Sequence, residues 1–160
     1  MEAGAEFGIK PFGIRAMDAM RLEKSYRLVG TELSIEYAAL ESGLQRFVHL
    51  NKGSFKGQRQ LADWQENGFT NTMVTLWVHD TTDADAIGGN PIMTADGSVV
   101  GRATSGGYGF RLEKSLALAM VRPDLATPGT KLMIDILDQR LPATVLEDSP
   151  YDPNLSLIHI

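Results

Sequence analysis

The sequence predicts an α+β protein, in which a mixed head of helix and strand over residues 1–68 precedes a small antiparallel β-barrel over residues 69–154. Two observations lead to this prediction. Near the start, apolar residues recur at partly helical spacing, at Ile14, Met17, Met20 and Leu22. From Asn71 onward, short β-prone runs are separated by turn residues, a pattern typical of a small barrel or sandwich.

The first element of the head is a predicted helix over residues 15–25. Asp18 and Arg21 are three residues apart, and Glu23 and Arg27 are four apart. Both spacings place the two charges next to each other on a helix surface. The pattern therefore predicts a helix with two ion pairs along its side.

The rest of the head is less regular. Residues 35–44 predict the start of a second helix that Gly43 breaks, and residues 47–50 predict a strand. Residues 61–65 have a short amphipathic pattern, which Asn67-Gly68 can close as a C-terminal cap. This cap is the clearest internal boundary of the sequence.

The β-rich part begins with a predicted strand over residues 71–79. Residues 90–93 and 97–102 flank Ala95-Asp96-Gly97, and Asp-Gly is a common hairpin signal. Residues 131–137 and 143–147 flank Asp138-Gln139 in the same way. These runs predict two strand pairs.

Residues 111–120 are ambiguous, because Leu, Glu, Lys and Ala favour a helix by propensity. The β-rich neighbourhood favours a buried strand over residues 115–121 instead. We therefore predict a strand there, with a helix as the alternative.

Residues 101–109 read Gly-Arg-Ala-Thr-Ser-Gly-Gly-Tyr-Gly and invite comparison with phosphate-binding loops. A Walker A loop requires Lys and then Ser or Thr after its last Gly, and these are missing. A dinucleotide fingerprint requires a third Gly at position 112, which is Leu112. We predict a structural turn between two barrel strands.

The sequence provides weak candidates for a metal site. Asp83 and Asp85 could begin a calcium loop, but Ile87 and Thr94 stand where the loop requires oxygen ligands. His49, His79 and His159 are scattered without metal-ligand spacing. We predict a solvated acidic loop and no metal.

The composition excludes several functional classes. The 160 residues are 43% hydrophobic and 22% charged, as in a globular domain or the tail of a larger protein. The net charge of -5 argues against nucleic-acid binding, and there is no cysteine for disulfides or thiolate chemistry. No apolar run reaches the roughly 20 residues that span a bilayer, so we predict no membrane partner. The lack of cysteine fits a cytoplasmic protein.

The last six residues, Leu-Ser-Leu-Ile-His-Ile over 155–160, have no periodicity of their own and correspond to one reading frame of a sequencing-library adapter. We therefore expect the true chain to be truncated after about Asn154 and the tail to be foreign. A short natural terminal strand is the alternative.

Five segments carry a resemblance to a known family. Residues 12–24 read Phe-Gly-Ile-Arg-Ala-Met-Asp-Ala-Met-Arg-Leu-Glu-Lys, and residues 40–44 read Leu-Glu-Ser-Gly-Leu. Phe-Lys-Gly-Gln at 55–58, the run at 100–106 and Pro-Tyr-Asp-Pro at 150–153 follow in order. Together these segments resemble the C-terminal part of the glycine cleavage T-protein, or aminomethyltransferase, family. The order is more specific than any single segment.

The resemblance is closer to the flavin-linked branch of that family, because Tyr26-Arg27-x-x-Gly30 follows the Arg-Leu-Glu-Lys ending of the helix motif. It implies that the head is a fragment of a mixed α/β folate-binding domain. It also implies the C-terminal region of an FAD-dependent dimethylglycine or sarcosine dehydrogenase type of enzyme. In such an enzyme, an N-methylated amine is oxidised and tetrahydrofolate accepts the one-carbon unit.

The implied partners of the fragment are the FAD and folate-domain portions that lie upstream in the same chain. The catalytic Asp of the family and the Glu that binds the pterin also lie upstream of Met1, so we expect no catalytic residue here and an inactive fragment. The alternatives are half of a stand-alone aminomethyltransferase and a packing module without catalysis.

The resemblance also implies cofactor-binding residues. Arg46 and Phe47 follow the Glu-x-Gly-Leu segment and are candidates to line the folate site. The alternative is that Arg46 is a solvated strand residue and that Phe47 belongs to the core.

Met17 is a departure from the family, because it stands where the family has an Arg that contacts folate. The folate carboxylate would then need another cation, and Arg15, Arg21 and Arg46 are the candidates. For Arg21 and Glu23, ion pairing within the module is the alternative role.

Overall fold

The structure is a computed structural model that describes residues 2–159. Met1 and Ile160 lie outside the described residues, as do the side chains of Ile158 and His159, so the predicted foreign tail is described only in part. The backbone of that tail forms a short 3-10 turn at Ser156–His159, and the alternative of a terminal strand is wrong.

The head contains two helices, α1 at Ile14–Glu23 and α2 at Gln58–Asn67. Short 3-10 turns lie at Glu2–Phe7 and Gln45–Phe47. The predicted helices at 15–25 and 61–65 are confirmed, and Gly68 ends α2 as expected. Neither helix is long and apolar enough to cross a membrane.

Two predictions for the head are wrong. Residues 35–44 form turns and bends. The N–H of Ala38 donates to the Glu41 carboxylate rather than to a carbonyl one helical turn earlier, and Gly43 near the end of the run has a left-handed φ of 71°. Residues 47–50 form no strand, and the barrel is closed, so it offers no free edge with which they could pair.

The β-rich part is a closed antiparallel barrel, which confirms the predicted fold class. Its strands are β1 Thr72–Val78, β2 Pro91–Met93, β3 Val99–Gly109, β4 Lys114–Val121, β5 Lys131–Ile136 and β6 Gln139–Leu146. They pair in the order β1-β4-β3-β2-β5-β6, and β6 closes the ring by pairing with β1.

The core of the barrel follows from strand alternation, because successive side chains point to opposite faces. On β1, Val74, Leu76 and Val78 point inward, and the inward residues of β4, Ala117, Ala119 and Val121, are small or β-branched. Residues Leu132, Ile134 and Ile136 of β5 and Ala143 and Val145 of β6 complete the interior.

Strand β4 is buried on both faces, because its outward side chains lie beneath the head. Leu116, Leu118 and Met120 form a second cluster with Leu22 of α1 and Met73 of β1. This double burial explains the continuous apolar run and confirms the strand prediction for residues 115–121.

The predicted turn at residues 101–109 is wrong, since these residues form most of β3. The glycines serve close packing between strands and loops. A Cβ on Gly101 would collide with the backbone of Met120, and one on Gly106 would collide with the carbonyl of Ala86. At these two positions the neighbouring backbone therefore leaves no room for a side chain.

Both predicted hairpins form, and the second strand of each is longer than expected. The first turns through residues 94–98, where Thr94 N–H donates to the Ser98 carbonyl. The second turns at Leu137 and Asp138, both with positive φ, so that Ile136 pairs with Gln139. Positive φ at both central residues matches the right-handed strand twist.

We expect Ile134→Ala to destabilise the protein by about 2–5 kcal/mol, because Ile134 is fully buried and its loss leaves a cavity in the barrel. Urea denaturation followed by tryptophan fluorescence measures this. Ile87→Ala is the matched control, with an expected change within about 0.5 kcal/mol, because Ile87 is 65% exposed. Equal effects would contradict the barrel core.

Candidate functional site

A buried ionic network joins the head to the barrel beneath α1. Arg21 donates from Nη2 to the hydroxyl of Ser105 on β3 over 2.9 Å, and from Nε to Asp18 over 2.6 Å. The predicted pairing of Asp18 with Arg21 is thus confirmed. Arg21 Nη1 also lies 3.4 Å from the carboxylate of Glu32. Arg21 therefore bridges two parts of the head and a barrel strand.

Glu32 is the acceptor at the centre of this network, and its side chain has no exposed area. Ser105 and Thr104 each donate to Oε1 over 2.6 Å. The N–H of Leu28 and the hydroxyl of Thr31 donate to Oε2 over 2.9 and 2.8 Å. Burial raises the pKa of Glu32, but these hydrogen bonds outweigh it and hold the pKa below the ordinary value.

Two further residues anchor the end of α1. The Glu23 carboxylate accepts from the N–H groups of Arg111 and Leu112 over 2.6 and 2.9 Å. Ser25 shares a 2.6 Å hydrogen bond with Thr75 on β1. Glu23 does not pair with Arg27, so the second ion pair predicted for this helix is wrong: Glu23 faces the β3–β4 turn instead.

Beside this anchor, a cleft of about 650 Å³ opens between the head and the C-terminal segment. Its walls come from the stretch after α1, from the turn at Gln45–Phe47 and from the residues after β6. Charged side chains on the walls are Lys24, Arg27, Arg46 and Asp148. Three cations and one carboxylate make this cleft locally positive in a chain of net charge -5.

Most of the cleft cations are already engaged. Lys24 Nζ donates to the carbonyls of Tyr151 and Asp152 over 2.9 and 2.6 Å. Arg27 donates to the carbonyl of Ser42 over 2.9 Å and lies 3.5 Å from Asp148. Gly43 has a φ of 71°, which favours glycine, and any side chain there would also have to displace the Arg27 guanidinium.

Arg46 and Phe47, the predicted folate-lining pair, both line the cleft. The Arg46 guanidinium lies over the Phe47 ring, 4.7 Å from its centroid. Phe47 is 61% exposed, so the alternative that places it in the core is wrong. Among the described residues, no hydrogen bond or carboxylate engages Arg46, which leaves its donors available to an anion.

The other three candidates lie elsewhere. Arg21 belongs to the buried network, Arg15 and Met17 are exposed on α1, and none of the three lines the cleft. Lys24, Arg27 and Asp148 were missed by the sequence analysis. Asp148 lies more than a hundred positions after Arg27, so no local pattern could indicate that they meet.

Within residues 2–159, no group of three His, Asp or Glu side chains is arranged to hold a metal ion. In the acidic loop, Asp85 instead accepts a 2.5 Å hydrogen bond from Ser115.

Two family models match the chain. The glycine cleavage T-protein C-terminal barrel domain matches residues 71–152, and the GCVT N-terminal domain matches residues 1–52. The chain belongs to the glycine cleavage T-protein family. This confirms the resemblance seen in the sequence, and the head and barrel follow the family's own order of domains.

Matching relatives include proteins of two kinds. The mitochondrial dimethylglycine dehydrogenase of Mus musculus is 39% identical over 149 residues, which are 92% of this chain and 17% of that protein. An aminomethyltransferase of Synechococcus elongatus is 37% identical over 141 residues, covering 88% of this chain and 37% of that protein. The chain thus spans well under half of these relatives.

A solved structure shares the fold. The glycine cleavage system aminomethyltransferase T from Bartonella henselae superposes with a TM-score of 0.80 at 21% identity, covering 88% of this chain and 39% of that one. Head and barrel are therefore arranged as in a T-protein.

We expect Glu32→Gln to lower the free energy of unfolding by about 1–3 kcal/mol near neutral pH, because a neutral amide replaces a buried, fully hydrogen-bonded carboxylate.

The pKa of this carboxyl is lower in the folded than in the unfolded chain, where its ordinary value is 4.5. Its stabilising effect is therefore complete above that value and is lost as the pH falls through the folded-state pKa. The difference between Glu32→Gln and the wild type should shrink accordingly in acid. Urea denaturation across that pH range measures it, with the exposed Glu66→Gln as control. A pH-independent difference would contradict the role of the charge.

Proposed function

We propose that the chain is the C-terminal, folate-handling region of an FAD-dependent N-methyl-amine oxidoreductase of the dimethylglycine or sarcosine dehydrogenase type. In this role it helps to hold the tetrahydrofolate that accepts the one-carbon unit from the oxidised amine. The observation that carries the proposal is the 39% identity to mouse dimethylglycine dehydrogenase over 92% of the chain.

The residues of the cleft fit one part of a folate. A folate carries carboxylates and flat aromatic groups, and an available guanidinium beside an exposed phenyl ring can bind both kinds of group. Arg46 would hold a carboxylate, and Phe47 would pack against an aromatic group. When bound, tetrahydrofolate supplies a nucleophilic acceptor for a one-carbon unit.

The chain's own contribution is positioning and containment. The C-terminal segment is held across the cleft by Lys24, through the carbonyls of Tyr151 and Asp152. Arg27 ties the segment after α1 to the carbonyl of Ser42 in the following turn. These contacts keep Arg46 and Phe47 on a defined wall, which favours reaction over release of a reactive intermediate.

The described residues do not fit FAD. The glycine-rich run of the chain is strand β3, and it lacks the strand–turn–helix arrangement that places a dinucleotide pyrophosphate at a helix N-terminus. Under the proposal, FAD belongs to the upstream part of the longer enzyme, together with the amine site and the catalytic groups.

A second candidate is half of a stand-alone aminomethyltransferase, which the 37% identity to the Synechococcus elongatus enzyme favours. The coding sequence upstream of Met1 distinguishes the two. A strand followed by Gly-x-Gly-x-x-Gly and a helix would indicate the flavin enzyme. The packing-module alternative predicts no folate binding in either context.

We expect Arg46→Glu to weaken tetrahydrofolate binding by about tenfold or more, because it replaces an attractive charge contact with a repulsive one. Equilibrium dialysis of the chain under reducing conditions measures this. Arg59→Glu is the matched control, because Arg59 is also exposed but lies on α2, outside the cleft. Failure of the wild type to bind, or equal binding by both variants, would contradict the proposed site.

We also expect the chain by itself to turn over neither dimethylglycine nor sarcosine in the presence of tetrahydrofolate. The proposal assigns the oxidation of the amine to an upstream flavin domain, so we expect the cleft by itself to provide no electron acceptor for that reaction. A formaldehyde and methylene-tetrahydrofolate assay measures this. Turnover above a buffer control would refute the assignment of the chemistry to the upstream part.

A further inference from the structure

Helix α2 ends at an exposed Asn-Gly pair, Asn67-Gly68, and the sequence contains no other pair of this kind. Gly68 has a φ of 88° and follows the last residue of the helix. Apart from adjoining residues, no heavy atom lies within 4 Å of the position that a Cβ on Gly68 would take. The pair is therefore not covered by other described parts of the chain.

An Asn-Gly pair is chemically reactive, because the peptide nitrogen of the glycine can attack the side-chain amide of the asparagine. Here a bond would form between Gly68 N and Asn67 Cγ, and the bond from Cγ to Nδ2 would break. Ammonia leaves with the proton that Gly68 N gives up. Water then opens the resulting succinimide at either carbonyl, which gives aspartate or isoaspartate. Glycine favours the attack, because it has no side chain and its backbone is unusually free to move.

Two hydrogen bonds occupy the reacting groups while α2 is folded. The N–H of Gly68 donates to the carbonyl of Trp64 over 3.0 Å. The side-chain amide of Asn67 donates to the carboxylate of Asp63 over 2.8 Å. Both bonds must open before Gly68 N can reach Asn67 Cγ. The rate of the reaction should therefore follow how often the last turn of α2 frays.

This last turn is weakly held. Helix α2 has ten residues, fewer than the roughly 12–15 that an isolated helix needs for stability in water. It has no buried residue and makes no extensive contact with another described helix or strand. Its last turn contains Glu66 and no basic residue, so the charge there interacts unfavourably with the helix dipole. Such a turn opens locally at low cost.

We propose that Asn67-Gly68 is a site of spontaneous deamidation, that fraying of the last turn of α2 limits its rate, and that the product loosens this turn further. The new carboxylate lies four residues after Asp63, where two like charges repel each other, and at the negative end of the helix dipole. Isoaspartate also adds a methylene to the backbone, which disrupts the helical hydrogen-bond spacing. The modification is independent of the proposed function, because it requires neither folate nor an upstream domain.

The first test incubates the folded chain in mildly alkaline buffer. Ion-exchange chromatography separates the product by its added negative charge, and peptide mapping by mass spectrometry locates the change. An isoaspartate-specific methyltransferase assay identifies the rearranged product. We expect Asn67 to react before Asn51, which is also exposed but precedes Lys52. Asn67→Gln should abolish the early acidic product, whereas the matched control Asn51→Gln should leave it unchanged.

The second test concerns the fraying of α2. Glu66→Lys should slow deamidation of the folded chain by about two- to tenfold, because a lysine there interacts favourably with the helix dipole and with Asp63. Glu6→Lys is the matched control, because it makes the same charge change at an exposed position far from α2 in the sequence. In concentrated urea, the wild type and both variants should react equally fast, and faster than the folded wild type.

Hydrogen exchange measures the consequence of the modification. In the deamidated fraction, the amides of the last turn of α2 should exchange about two- to tenfold faster than in the unmodified chain. A folded chain in which Asn67 reacts no faster than Asn51 would overturn the site. Equal rates for Glu66→Lys and the wild type in the folded state would overturn the role of fraying. Unchanged exchange after deamidation would overturn the loosening of α2.

Discussion

The carboxylate of Glu32 has no contact with water, and four hydrogen bonds together with the Arg21 guanidinium surround it. A buried charge is tolerated only when it is fully paired, so the chain segments that supply these partners must stay together. They come from α1, from the turns that follow it and from strand β3. This one requirement fixes the head against the barrel.

The same interface explains the unusual character of β4. Its inward side chains fill the barrel, and its outward side chains pack beneath α1 and Met73. Apolar burial supplies the driving force for this contact without fixing its orientation, whereas hydrogen bonds to Glu32 and Glu23 require a specific alignment. Apolar packing thus brings the head to the barrel, and the hydrogen bonds set the orientation of the head.

The cleft depends on this alignment. Ser25 bonds to Thr75 of the barrel and also accepts from the N–H of Ser149, which joins the end of α1 to the segment after β6. That segment forms one wall of the cleft, and the turn carrying Arg46 and Phe47 forms another. A shift of the head would therefore move two walls relative to each other. The shape of the cleft that we propose for folate is therefore set by buried contacts between the head, the barrel and the segment after β6.

Local sequence determined the elements whose pattern is short-range: helix α1, helix α2, both hairpins and the alternating strands of the barrel. The sequence also revealed the family, because the order of the motifs can be recognised without knowing which residues contact each other.

Only the tertiary structure decided the rest. Residues 101–109 form a strand by pairing with β2 and β4, and the backbone of Met120 and of Ala86 comes too close to Gly101 and Gly106 for a side chain. Arg21 became a buried bridge because Glu32 and Ser105 of β3 reach it, whereas among the described residues no such partner reaches Arg46. Spacing along a chain reports which residues can share a helix or strand face, but burial and charge pairing depend on which distant segments close over them.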